Sequence, residues 1–116
     1  MTKRWPSIHG GESKAEDMLL GRLKRWGFLN PQTQVRLIPG RKFRFDVVLE
    51  EHKLAIEVDG AVWTQGRHTR GKGFESDAEK SALAQAEGYK VIHVTPGMLT
   101  SGAAEILIKK AAGMPI

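Results

Sequence analysis

The stretch LAIEVDG, Leu54 to Gly60, decides how this sequence folds. Leu54, Ile56 and Val58 alternate with Ala55, Glu57 and Asp59, the period-two pattern of a strand with one face in a core, and a glycine ends it. Two carboxylates, Glu57 and Asp59, therefore leave the same side of a strand built for burial. Just upstream, Phe43, Phe45, Val47 and Leu49 alternate in the same way, and the polar Glu50, Glu51 and His52 between the two runs mark a turn. The two segments read as an antiparallel hairpin. Its apolar residues share a face only if paired residue numbers add to an odd value, as when Leu49 faces Leu54. That register sets Asp46 opposite Glu57 and Arg44 opposite Asp59. One face becomes wholly apolar, and the other gathers Arg44, Asp46, Glu57 and Asp59.

Three carboxylates so close repel one another strongly where water is scarce, unless a cation neutralises them or their pKa values rise. A divalent metal is the simplest resolution. The alternative is an Arg44–Asp59 ion pair, with Asp46 and Glu57 solvated on an open face of the sheet. The chain has no cysteine, so a metal would sit on oxygen or imidazole ligands, which favours a hard ion such as Mg²⁺ or Mn²⁺.

Outward from the hairpin, Ala15, Met18, Leu19, Leu23 and Trp26 fall at helical spacing between Ser13 and Trp26, and Gly27 follows as a C-terminal stop. Val35 and Leu37 predict a short first strand before the turn Pro39-Gly40. Gly60 to Gly73 forms a glycine-rich loop containing GRHTRGKG. Ser76 to Glu87 predicts an alanine-rich helix opened by a Ser76/Glu79 capping box, Tyr89 to Thr95 a strand stopped by Pro96, and Ser101 to Ala112 a last helix. The order is αβββαβα. The strand before Pro96 can join the sheet only through a helical crossover, so the expectation is an α/β fold with a mixed sheet flanked by helices. At 116 residues the chain is one domain, with an N-terminal arm at 1–12, a core at 13–95 and a C-terminal helix region at 96–116.

No apolar run approaches the roughly 18 residues a membrane span needs, and no signal-peptide order opens the chain, which predicts a soluble, cytoplasmic protein with no membrane partner. The net charge of +5 suits a polyanion, and the cations are unevenly placed. Arg67, His68, Arg70 and Lys72 crowd the glycine-rich loop, while Lys3, Arg4, Arg41, Lys42 and Arg44 gather near the start and middle.

On the ordered set FRFDVV, LAIEVDG, GRHTRGKGF, DAEK and GYKVIHVT, from about Ser13 to Thr95, the chain resembles the PD-(D/E)XK nuclease superfamily. Within it the chain is similar to small phage and prophage endonucleases related to very-short-patch repair endonucleases. The resemblance implies a restriction-endonuclease-like αβββαβ core with an additional C-terminal helix, and Mg²⁺-dependent hydrolysis of DNA phosphodiester bonds, with Mn²⁺ able to substitute. It implies a structure- or nick-directed enzyme of a bacterial or phage-infected cell rather than a strongly sequence-specific one. Asp46 matches the metal-binding Asp of the second strand, Glu57 the acid of the third, and the Val58 carbonyl would complete the set. Glu16 matches an acid on the first helix that completes the metal site in many members; Ser13 and Glu16 also read as a capping box.

Asp59 departs from the pattern, which expects lysine there. Some members carry that lysine on the following helix, where Lys80 is the candidate, and the local alternative is an ion pair with Asp77 three residues before it. His68 is the other candidate for handling the proton of the attacking water. Arg44, Arg67, His68, Arg70 and Lys72 would hold DNA phosphates, and Trp63 would stack on an exposed base or pack. Trp5 and Trp26 read as packing. Duplex or branched DNA is thus the expected partner, with a homodimer through the alanine-rich last helix as an alternative to that face being core. A nucleic-acid-binding module that keeps the fold without catalysis is the rival, and the missing third-strand lysine is what favours it.

Overall fold

The computed structural model describes residues 10–59 and 72–114, with side chains from 14 and from 75 onward in those two segments. Helix α1 (Gly10–Arg25) leads to β1 (Gln32–Val35), β2 (Phe45–Leu49), a 3₁₀ turn (Glu50–His52) and β3 (Leu54–Val58). Helix α2 (Lys72–Ala86), β4 (Lys90–Val94), α3 (Pro96–Ser101) and α4 (Ala103–Ala112) follow. The sheet order is β1-β2-β3-β4, antiparallel through the first three strands and parallel between β3 and β4. This is the expected mixed α/β sheet. No helix among the described residues is long and apolar enough to cross a membrane.

The hairpin register is the one that the apolar pattern demands: Leu49 faces Leu54, Val48 faces Ala55 and Val47 faces Ile56. Val47, Leu49, Leu54 and Ile56 join Val94 under Leu19 and Leu23 of α1, Leu99 of α3, and Ala104 and Ile108 of α4. The opposite face is not simply polar. Val48, Ala55 and Phe45 pack there against Ala84 of α2, so helices cover both sides. Phe45 is the departure from strict alternation. It pairs only with Val35 of β1 and stands outside the β2–β3 ladder, so nothing on that side enforces its facing.

Several boundaries differ from expectation for identifiable reasons. The first strand lies at Gln32–Val35, so Leu37 is a loop residue packed on the second cluster. Phe43 and Arg44 precede β2, which removes Arg44 from any ladder position opposite Asp59. The fourth strand is trimmed to Lys90–Val94, because Thr95 is the N-cap of α3: its Oγ1 accepts the Met98 N–H at 3.2 Å and Pro96 takes the first helical position. The single last helix is two, divided at Gly102, whose φ of 94° only glycine adopts without strain. Both capping boxes fail by position. Helix α1 starts at Gly10 and α2 at Lys72, so Ser13 and Ser76 each lie inside a helix rather than at its start. Glu79 instead reaches Arg41, 3.0 Å away on the β1–β2 connection.

Candidate active site

The β2–β3 ladder stops one residue short of the pair that would set Asp46 across from Glu57, and the Asp46 side chain takes over. Its Oδ2 accepts the Val58 N–H at 2.8 Å, filling the backbone bond that the departing strand leaves open. Asp46 is thereby fixed at the end of the sheet where β3 finishes. From the other side, the amide of Gln34 on β1 donates to Asp46 Oδ1 at 3.4 Å and to Glu16 Oε2 of α1 at 3.0 Å. Glu16 and Asp46 thus share the Gln34 amide across the first strand.

Glu57 has the most costly environment among the described acids. Its side chain is 13% exposed, and Lys80 Nζ of α2 stands 2.7 Å from Oε2. The contact is an ion pair without hydrogen-bond alignment, so Oε2 is buried with no aligned donor among the described residues. Burial first, and the neighbouring Asp46 charge second, push the Glu57 carboxyl up to about 7, and the Lys80 ammonium does not offset them. Lys80 also lies 4.6 Å above the Phe45 ring. Its ion pair is with Glu57 on β3, rather than the local alternative with Asp77. Asp77 does line the same small, open cleft, together with Phe45, Glu57, Asp59, Lys80, Ser81, Val91 and His93.

Asp59 does not pair with Arg44. Its Oδ2 lies 3.1 Å from Nδ1 of His93, the β4 residue whose Cα partner is Glu57. That hydrogen bond chiefly raises the His93 pKa. Sequence reasoning missed both His93 and Gln34. The alternation of GYKVIHVT carries His93 to the side of Glu57 once the parallel register is known, whereas nothing in Gln32–Val35 marks Gln34. Trp63, Arg67, His68 and Arg70 lie outside the described residues; of Lys72 only the backbone, opening α2, is described. Trp26 packs on the first core cluster, as expected.

Asp46 and Glu57 present hard carboxylate oxygens of the kind a divalent cation takes. The burial of Glu57, only partly offset by Lys80, and the repulsion between the two acids fit such an ion. Among the described residues no group of three or more His, Asp or Glu side chains is arranged as a metal cage.

The Glu57 environment sets a pH dependence. Its folded pKa lies above the ordinary 4.5, so between that value and about 7 the native protein holds a proton that the unfolded chain has released. Stability then falls as pH rises through this window, by roughly 3 kcal/mol at most. Urea unfolding from pH 5 to pH 8 should show this decline, and Glu57→Gln should flatten it. A residual slope above pH 6.5 belongs to His93, whose raised pKa gives stability that is lost as it deprotonates. An equal slope in both proteins would contradict a Glu57 pKa raised by burial.

Comparison with known proteins defines first a class of fold. No protein-family model matches the chain, and no curated protein matches it. Among solved structures this fold is matched with a TM-score of 0.64 over 84% of this chain. The structure matched is the homing endonuclease I-Bth0305I catalytic domain, 21% identical, of which 91% is covered. At that identity the likeness is one of fold.

Proposed function

We propose that the chain is a DNA endonuclease of the PD-(D/E)XK type, dependent on a divalent cation, Mg²⁺ or Mn²⁺. The reading rests above all on Asp46 and the buried Glu57 meeting at the end of the sheet with Lys80 2.7 Å from Glu57, on a fold shared with an endonuclease catalytic domain. Asp46, Glu57 and the Val58 carbonyl would hold the ion, with Glu16 beside them. When bound, the ion would acidify a water and screen the scissile phosphate. The chain's own residues do the rest. Lys80 brings its positive charge from α2 to the place where negative charge grows as water oxygen adds to phosphorus and the P–O bond to the leaving alkoxide breaks. It thus occupies in space the role of the lysine that Asp59 displaces in sequence. Asp59 and His93 line the same cleft and orient each other.

The β1–β2 connection, residues 36–44, lies at this same end of the sheet. Arg36, Lys42 and Arg44 are exposed there, and none forms an ion pair among the described residues. They are available to phosphates, which confer affinity without sequence reading, in keeping with a structure- or nick-directed enzyme. Replacing all three by glutamine should weaken duplex binding uniformly across sequences. The slope of log affinity against log salt should become shallower by about 0.9 per lost contact, measured by fluorescence anisotropy. An unchanged slope would remove these residues from the interface.

Incubation of plasmid, nicked and branched DNA with Mg²⁺, against EDTA, tests the central reading. Metal-dependent cleavage supports it. Binding without cleavage of any form supports instead the non-catalytic module, which the Asp at position 59 favours.

A further inference from the structure

Gln34 is held in a conformation that its sequence does not require. It sits within β1, yet its φ is 51°, the left-handed region that a non-glycine residue enters only under strain. The registers on either side, Thr33 with Val47 and Val35 with Phe45, show no inserted residue that would excuse the kink. The side chain is exposed, so burial does not explain it either. What the conformation accompanies is one amide nitrogen donating to two carboxylates from different elements, Glu16 at 3.0 Å and Asp46 at 3.4 Å.

We infer that Gln34 is a positioning residue of the cation site, the link that makes Glu16 part of it. The inference rests on the nuclease reading above. Glu16 belongs to a helix and Asp46 to a strand, and two carboxylates drawn together repel. A lysine or arginine in this place would hold them and also neutralise them, competing with any bound cation. An uncharged carboxamide holds them by hydrogen bonds and leaves both charges in place. Asp46 is then gripped on each oxygen, Oδ2 by the Val58 N–H and Oδ1 by Gln34, which sets the carboxylate plane between β1 and β3. Groups that orient metal ligands in this way typically contribute 10- to 100-fold to metal affinity.

The test is Mn²⁺ binding to the full chain by isothermal titration calorimetry, with thermal melting in EDTA alongside. Gln34→Gly relieves the left-handed φ and removes the amide. Gln34→Asn tolerates the φ and keeps an amide too short to span both acids. Both should melt at or above the wild-type temperature, yet bind Mn²⁺ at least about tenfold more weakly. Glu16→Ala should lose a similar factor, and Glu16→Ala/Gln34→Gly should lose less than the two single losses combined, because Gln34 acts in part through Glu16. Wild-type affinity in both Gln34 variants, or losses that add in the double variant, overturns the inference and leaves the nuclease reading standing. A wild-type chain that binds no Mn²⁺ overturns both.

Discussion

Asp46→Asn should abolish metal-dependent DNA cleavage, by about a thousandfold or more in rate, while the protein melts at or above the wild-type temperature at pH 8. The two halves have separate causes. A ligand's share of metal-assisted hydrolysis is several kcal/mol, and each 1.36 kcal/mol is tenfold, so its loss amounts to about three decades. Asparagine keeps an oxygen that accepts the Val58 N–H, so the sheet end survives. It removes the charge that, after burial, is the main cause of the raised Glu57 pKa, and so relieves strain in the ionised site. Loss of activity with retained stability is the behaviour of a site held in an unfavourable arrangement for function. A plasmid-nicking assay and a melting curve on the same preparation decide it. Cleavage within a few-fold of wild type would take Asp46 out of the chemistry.

Lys80→Met should lower the cleavage rate about a hundredfold to a thousandfold, the usual cost of removing one charge aimed at the developing negative charge. Methionine preserves much of the apolar stem that lies over Phe45, so the melting temperature should change far less than the rate. Lys80→Arg keeps the charge but not the compact ammonium and should recover only part of the loss. Single-turnover rates for the three proteins on one nicked substrate make the comparison. Equal rates for wild type and Lys80→Met would show that the pairing with Glu57 serves only to neutralise a buried acid.

The hairpin and its acids were legible because alternation is a strong constraint. With one face buried, a slip of one residue would turn Val47, Leu54 and Ile56 to the wrong side, so the register of LAIEVDG followed from residue types alone. The same rule failed at Phe45, where the ladder no longer enforces it. Glu16, Asp46 and Glu57 could be named from sequence, as could Lys80, but not the geometry that relates them. The Val58 N–H contact exists because the ladder ends, and no pattern announces where a ladder ends. The helix starts went wrong where Ser and Glu at the spacing of a cap occur inside longer helices, the motif being necessary for such a cap and far from sufficient. His93 depended on a parallel register set by a crossover, and Gln34 on a local backbone choice that a four-residue polar strand does not encode.

The kink at Gln34 has a bearing on association as well as on the site. Among the described strands β1 lies at the edge of the sheet, and an edge strand offers a row of donors and acceptors on which another chain can add itself. A left-handed residue in the third of only four positions spoils that template, and the short polar run QTQV offers little to extend it. The distortion that accompanies the Gln34 contacts to Glu16 and Asp46 is thus also one that disfavours edge-to-edge pairing along β1.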